Sequence, residues 1–185
     1  MDISDLERQL DRARTDAEAL ISGLSEECAA WRSTPGAWNV AECLDHLATA
    51  NRVYLASMQE PALRARRLGK MRRGPAKPGL VGGWFVRSLE PPVKRMTRMK
   101  APHNFVPRVN PPLHDALIAF LATHDQVRAF VGTSADLDLN SIRFPNPIVR
   151  GIFFSLATGL NVIAAHERRH LWQAWRLRRA AEAAA

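Results

Sequence analysis

Four long segments of the chain repeat apolar residues at the spacing of an α-helix, and this pattern limits the fold more than any other feature. The segments lie at about residues 4–31, 39–59, 112–131 and 147–181. A helix with one apolar stripe is stable only when the stripe packs on another element. We therefore predict an all-α protein, a four-helix bundle in which the four stripes pack against each other.

Capping and turn residues mark the ends of these helices. Ser4 and Glu7, and likewise Asn39 and Glu42, have the three-residue spacing of an N-terminal capping box. Pro61 follows the second helix, so we expect that helix to stop at about residue 59. No segment shows a strand pattern.

The segment at residues 61–110 is a long, irregular insertion between helices two and three. It contains most of the prolines of the chain and several glycines, and it is basic. Short helices are expected within it at about residues 84–89 and 93–99. A segment of this length in a compact domain is usually a lid, a binding loop or disordered. We expect residues 1–185 to form a single domain.

The formal net charge of the 185-residue chain is +8, and much of the excess lies at residues 62–79 and 93–100. Neither stretch contains a base-reading motif, so we predict a solvated basic loop and no specific nucleic-acid binding. The alternative is that the Arg and Lys residues at 64–77 bind an anionic thiol cofactor or substrate.

Other features favour a cytoplasmic protein. No apolar run is long enough to cross a bilayer, the N-terminus is acidic, and Cys28 and Cys43 form no disulfide framework. We expect no membrane association and a small-molecule substrate or thiol as the partner. Whether the protein forms a homodimer is left open by the sequence.

Residues His166-Glu167-Arg168-Arg169-His170 match the H-E-x-x-H pattern of zinc metalloproteases. Such a protease needs a third ligand downstream, but only fifteen residues follow His170 and none of them is histidine. Glu182 lies on the same predicted helix, about 18 Å from His170 along its axis. The sequence therefore excludes this class of protease.

His166 and His170 are one helical turn apart, on the face that also carries Ile163 and Ala174. Two imidazoles buried side by side are costly without partners, and a shared metal ion removes that cost. The third ligand is then expected from another helix. His46 is the candidate because it borders an apolar stripe, with a satisfied core histidine as the alternative. The remaining histidines lie in the proline-rich segment (His103) or on the polar side of helix three (His114 and His124).

Two motifs resemble the signatures of DinB-like proteins. Residues Trp38-Asn39-Val40-Ala41-Glu42, followed by Asp45-His46-Leu47, are similar to the first signature, W-s-v-x-E-x-x-x-H-L. The string His166-x-x-x-His170-Leu171-x-Gln173 is similar to the second. The two occur in the expected order.

The resemblance implies a four-helix bundle whose three histidines hold a divalent metal ion. Carried over to this chain, the metal ligands are His46, His166 and His170. The family includes thiol-dependent transferases and isomerases that use bacillithiol, mycothiol or glutathione. The segment at residues 61–110 departs from the family because it is longer and more basic than the usual connection.

Three imidazoles leave an open coordination position for water or substrate, which is typical of a catalytic site. Zinc is favoured, and nickel, iron or copper also suit imidazole ligands. We interpret Glu42 as a helix cap, and the alternatives are a position behind the ligands or a general base. Gln173 either hydrogen-bonds near the metal or is a polar surface residue. Cys43 is a less favoured fourth ligand. Glu167 is predicted to be a surface carboxylate facing arginines.

Two functions are compatible with the three histidines and the two signature motifs. The first is a metal-dependent thiol transferase or related hydrolase. The second is a non-catalytic metal-binding or interaction protein with the same fold. A pocket that opens onto the free position of the metal, with a polar group in reach, would favour the first, and a sealed apolar wall would favour the second.

Overall fold

The computed structural model describes residues 3–92 and 101–184, and within them the chain is mostly helical. The helices of this part are α1 (Ile3–Ile21), α2 (Glu26–Ala30), α3 (Val40–Arg67), α4 (Leu80–Leu89), α5 (Leu113–Ser134) and α6 (Leu156–Glu182). A 3₁₀ helix (His103–Phe105) precedes α5, and the strands β1 (Arg143–Pro145) and β2 (Phe153–Ser155) precede α6. The structure is mostly helical, as predicted for the all-α class. None of the described helices is both long and apolar enough to span a bilayer.

The first predicted helix, residues 4–31, is wrong as a single element. The predicted cap at Ser4 is also wrong, because α1 begins at Ile3 and Ser4 lies within the helix. The chain turns at Gly23, whose φ of 70° lies in the left-handed region. A new helix, α2, begins after Ser25, whose side chain accepts a hydrogen bond from the backbone N–H of Cys28. The apolar stripe continues through Leu24, which is why helical spacing alone joined the two segments.

The second predicted helix begins where expected but does not stop at residue 59. Asn39 and Glu42 form the predicted capping box at the start of α3. The helix then continues through Pro61 to Arg67. A proline removes only one helical hydrogen bond, and Ala62 and Ala65 beyond it pack in the core. Burial of this last part of α3 accounts for the tolerated proline.

The irregular segment predicted at residues 61–110 is therefore shorter and more ordered than expected. Its first residues belong to α3, and the short helix expected at 84–89 begins earlier, as α4 at Leu80. The second short helix, expected at 93–99, lies outside the described residues.

The fourth predicted helix, expected from about Pro147, begins only at Leu156. Before it, β1 and β2 pair antiparallel with Phe144 opposite Phe154, although the sequence showed no strand pattern. Ser155 ends β2 and caps α6, because its side chain accepts a hydrogen bond from the backbone N–H of Thr158. Strands of three residues are too short to reveal an alternating pattern.

The four long helices pack pairwise, with α1 and α3 each in contact with both α5 and α6. Their buried apolar residues form two clusters, one around Leu160 and Phe144 and one around Leu44 and Phe120. Between them, buried polar residues interrupt the core at the same level of α3, α5 and α6. They are His46, Asn51, Thr123, His124, Glu167 and His170. We call this set the polar layer.

Candidate metal centre

The structure brings together the three histidines that the sequence singled out. His46 lies on α3, and His166 and His170 lie one turn apart on α6. The ring centroids are 4.9 Å apart for His46 and His166, and 4.5 Å apart for each of the other two pairs. One nitrogen from each ring lies within 4.8 Å of the other two. Within the described residues, these side chains form a group that can hold a metal ion.

The nitrogen positions fit a divalent ion. His46 Nε2 and His166 Nε2 are 3.2 Å apart. Two nitrogens bound to one tetrahedral zinc ion at 2.0–2.1 Å are separated by about 3.3 Å. His170 Nδ1 is buried without a hydrogen-bond partner, so a polar atom in this cluster awaits a ligand. The widest separation in the trio, 4.8 Å, requires one ring to move inward on binding.

A backbone carbonyl fixes which nitrogen His46 presents. His46 Nδ1 lies 2.6 Å from the carbonyl oxygen of Phe105, which accepts only, so Nδ1 carries the proton and donates it. In the neutral ring, Nε2 then has a free lone pair that faces His166. An imidazole held by a carbonyl in this way is the usual arrangement behind a metal-binding histidine.

All three imidazoles are neutral near pH 7. Burial lowers the pKa of His46 to about 4, although the hydrogen bond to Phe105 and the nearby Asp45 act in the opposite direction. Burial, with the neighbouring His46 and Arg169, lowers the pKa of His166 well below its usual range. The pKa of His170 is lowered in the same way, chiefly by burial. Neutral imidazoles are the form that binds a metal ion.

The segment at residues 103–110, which we call the strap, crosses α3 beside His46 and is anchored at three points. Phe105 accepts the hydrogen bond from His46. Asp45 accepts from the backbone N–H of Arg108 at 2.7 Å and from its Nε at 2.8 Å. Glu42 accepts from the backbone N–H of Asn110 at 3.1 Å. Each anchor on α3 belongs to the first signature motif, so the motif holds the strap as well as the histidine.

Glu42 is a helix cap, as interpreted from the sequence, and it also forms an ion pair. Arg32 donates two hydrogen bonds of 2.6 Å to its carboxylate. Burial acts to raise the pKa of Glu42, but the hydrogen bonds from Arg32 and from the backbone of Asn110 and Asn39 outweigh it and lower the pKa. Its oxygens are occupied by these donors, which supports the capping role over a position behind the histidines.

Trp38 and Gln173 form part of the wall around the histidines. The Trp38 ring lies 4.5 Å from the ring of His46 and 5.8 Å from that of His170, centroid to centroid. Gln173 is partly buried, and its side-chain hydrogen bond to His170 acts to raise the pKa of that ring. His166 is the one of the three histidines that remains partly exposed. The side of His166 is therefore the least covered side of the cluster.

The prediction that Glu167 is a surface carboxylate is wrong, and so is the placement of His124 on a polar surface. Both are completely buried. Glu167 Oε1 accepts hydrogen bonds from Asn51 Nδ2 at 2.8 Å and from His124 Nδ1 at 3.1 Å. The first half of α6 is covered by α1, α3 and α4 together. The side chain of Glu167, about 100° around the helix axis from that of His166, therefore still points into the protein. The mostly apolar run at residues 151–165, directly before His166, was the available signal.

The remaining candidates lie away from the cluster. Cys43 packs in the apolar core beside Leu44 and Leu47, and burial raises the pKa of its thiol, so it is not a fourth ligand. His103 and His114 are exposed, as expected.

A family model described as the DinB superfamily matches residues 9–174. Comparison with curated proteins and with solved structures finds no match. The family match spans most of the chain and includes both signature motifs and all three histidines. The protein therefore belongs to the DinB superfamily.

Proposed function

We propose that His46, His166 and His170 bind one divalent metal ion, and that the protein is a thiol-dependent S-transferase or a related hydrolase. The observation that carries this proposal is the convergence of three neutral imidazoles from two helices, with two Nε2 atoms 3.2 Å apart. The packing of α1 and α3 on α5 and α6 supports a four-helix bundle as the scaffold. Zinc is the favoured ion, with nickel or iron as alternatives.

A divalent ion bound by three imidazoles supplies a positive centre that lowers the pKa of a water or thiol at its open position. The residues of the chain position the site. The Phe105 carbonyl sets the tautomer of His46. The Trp38 ring excludes water from the side of His46 and His170. The partly exposed His166 marks the side from which a small-molecule substrate or a low-molecular-weight thiol enters.

The alternative is a metal-binding protein of the same fold without turnover. The position of Trp38 favours it, because a bulky indole beside two of the three histidines narrows access to the site. Gln173 favours the enzyme, because a polar group near a metal ion can hydrogen-bond a substrate.

Metal analysis of purified histidine variants tests the site. We expect the parent protein to bind one equivalent of zinc and His46→Ala, His166→Ala and His170→Ala each to lose it. His114→Ala is the control because His114 is exposed and lies away from the cluster. Zinc content in His46→Ala equal to that of the parent would remove His46 from the site and refute the three-histidine proposal.

A thiol-transfer assay separates the two functions. The zinc-loaded parent is offered bacillithiol, mycothiol or glutathione together with an electrophilic acceptor. Turnover that disappears in His46→Ala and persists in His114→Ala supports the enzyme. A metal-loaded parent without turnover toward any of the three thiols favours the non-catalytic alternative.

A further inference from the structure

One side of α4 exposes large apolar side chains to solvent. Leu80 is 95% exposed, Val81 is 73% exposed and Trp84 is 66% exposed. Their spacing places them on one side of the helix, and Arg87 continues this side one turn later. We call these four residues the α4 face. Three large apolar side chains grouped on one exposed helix face mark an interaction surface.

The opposite side of α4 is firmly packed, so the exposure does not come from a detached helix. A Cβ at Gly82 would lie 2.5 Å from Thr158 Oγ1 on α6, which shows how closely the two helices approach. The Phe85 ring packs on Phe154 of β2, with centroids 5.4 Å apart. Beyond the end of α4, Glu90 forms an ion pair with Arg168. Because the opposite side of α4 packs on α6 and β2, the α4 face remains exposed to solvent.

Further apolar side chains are exposed at the same end of the molecule. Ile152 and Phe153 are exposed where β2 leads directly into α6. Thr158, against which Gly82 packs, lies in the first turn of that helix. The α4 face and the start of β2 therefore lie beside each other.

The surroundings of the α4 face are basic. No Asp or Glu occurs between Glu60 and Glu90, a stretch that contains eight Arg and Lys residues, of which Arg66 and Arg67 at the end of α3 form ion pairs with Asp136 and Glu60. Lys77 and Arg87, on either side of the apolar residues, are exposed. No acidic residue occurs between Asp138 and Glu167 either, and Arg143 and Arg150 in that stretch are exposed. An occupant of this surface must be apolar in the middle and anionic around the edge.

The sequence led us to expect no membrane association, but from the exposed α4 face we propose that it docks on the surface of an anionic lipid bilayer. Leu80 and Val81 reach the acyl boundary, Trp84 lies at the level of the headgroups, and Lys77 and Arg87 contact anionic headgroups. The ten residues of α4 are too few to span the bilayer, so the helix lies along its surface. The α4 face has one aromatic ring, Trp84, whereas a single-stranded nucleic acid stacks successive bases on several rings. A second copy of the chain would bring two basic edges together. Charge and shape together favour a bilayer.

Sedimentation with lipid vesicles tests the proposal. We expect the full-length protein to bind vesicles of equimolar phosphatidylcholine and phosphatidylserine, and to bind pure phosphatidylcholine at least about tenfold more weakly. Leu80→Ser/Trp84→Ser should weaken binding about tenfold, because it removes Leu80 from the acyl boundary and the indole of Trp84 from the headgroup level. Lys77→Glu/Arg87→Glu should remove the preference for phosphatidylserine. The control is Ile118→Ser, which changes an apolar residue of α5 that is 52% exposed and should bind as the parent does.

Leu80→Ser alone keeps Trp84 as a fluorescent reporter. The chain has five tryptophans, so the contribution of Trp84 is the emission that Trp84→Phe removes. This contribution should shift to shorter wavelength on phosphatidylserine vesicles, and Leu80→Ser should need more lipid for the same shift. Circular dichroism verifies that every variant retains its helices. The proposal is wrong if the parent does not bind phosphatidylserine vesicles or if Leu80→Ser/Trp84→Ser binds like the parent. It is also wrong if light scattering shows a dimer that this double variant converts to a monomer, because the α4 face would then contact a second copy.

Discussion

Glu167 and His124 share a hydrogen bond of 3.1 Å in the polar layer, and both side chains are completely buried. Asn51 donates a second hydrogen bond to the same oxygen of Glu167. Glu167 Oε2 and His124 Nε2 have no partner among the described residues. Removal of either side chain would take one hydrogen bond from the other, and because both are completely buried, water cannot easily replace it. Such pairs are costly to break even where they add little net stability.

We predict that Glu167→Ala lowers the free energy of unfolding by about 3–5 kcal/mol, because it removes the acceptor of both Asn51 and His124. His124→Ala should cost less, about 1–3 kcal/mol, because Asn51 still donates to Glu167. Glu167→Gln should also cost less than Glu167→Ala, since its amide oxygen still accepts from Asn51 and His124. Urea unfolding of the single variants and of Glu167→Ala/His124→Ala measures the coupling between the two residues. Additive losses in the double variant would contradict an interaction between them.

The sequence predicted individual residues well where a local pattern defines the role. The capping box of Asn39 and Glu42 depends on neighbours three residues apart, and His166 and His170 on a single helical turn. Glu167 depends on α3 and α5, which are remote in sequence. From the sequence we assigned one apolar stripe to the helix that carries Glu167. In the structure this helix, α6, is buried on several sides between Leu156 and Ala165. The mostly apolar run at residues 151–165 is the local sign of that burial, and it does not identify the partners of Glu167.

At the scale of elements, a glycine allows α6 to pack closely on its neighbours. A Cβ at Gly159 would lie 2.6 Å from Phe144 Cζ on β1 and 2.8 Å from Met58 Sδ on α3. These contacts lie well inside van der Waals distance, and Phe144 is completely buried with little room to move. The glycine is therefore required at this crossing even though it is a poor helix former.

We predict that Gly159→Ala lowers the free energy of unfolding by about 1–3 kcal/mol, because overpacking outweighs the gain in helix propensity. The control is Gly132→Ala in α5, where an added Cβ has no neighbour within 4 Å. That substitution should be neutral or stabilise the protein by up to about 1 kcal/mol. Thermal unfolding of both variants decides the matter, and a Gly159→Ala variant as stable as the parent would contradict the close packing.

The number and order of the long helices could be predicted from the sequence, but the interruptions could not. The stripe through Leu24 runs across the turn at Gly23, and the packing of Ala62 and Ala65 carries α3 through Pro61. The pairing of Phe144 with Phe154 depends on residues that are ten positions apart. In each case, a contact with another element decided the local structure.

At the scale of the whole molecule, the polar layer divides the core into two apolar clusters. Its members come from α3, α5 and α6, and their hydrogen bonds form only when these helices are aligned along their axes. A purely apolar interface tolerates a shift of one helix along another more readily, whereas buried polar partners penalise it. The layer therefore holds His46 on α3 level with His166 and His170 on α6.

The three clustered histidines also determine how the stability of the metal-free protein, kept in a chelator, depends on pH. The ordinary pKa of histidine is 6.5, and burial lowers that of His46 to about 4 and those of His166 and His170 well below 6.5. Below pH 6.5 the unfolded chain therefore binds protons that the folded chain does not, so stability is full above this pH and falls as the solution is acidified. Each buried imidazole should contribute up to about 1.4 kcal/mol per pH unit to this fall.

Urea unfolding between pH 7 and pH 5 measures this slope above the range in which Glu42 titrates. The lowered pKa of Glu42 makes its contribution disappear only as the pH falls below about its ordinary value of 4.5. His170→Gln should flatten the slope, because one buried imidazole no longer takes up a proton on unfolding. His114→Gln should leave the slope unchanged, because His114 is exposed. A parent protein equally stable at pH 7 and pH 5 would show that the three imidazoles are not held in the neutral form that a metal ion requires.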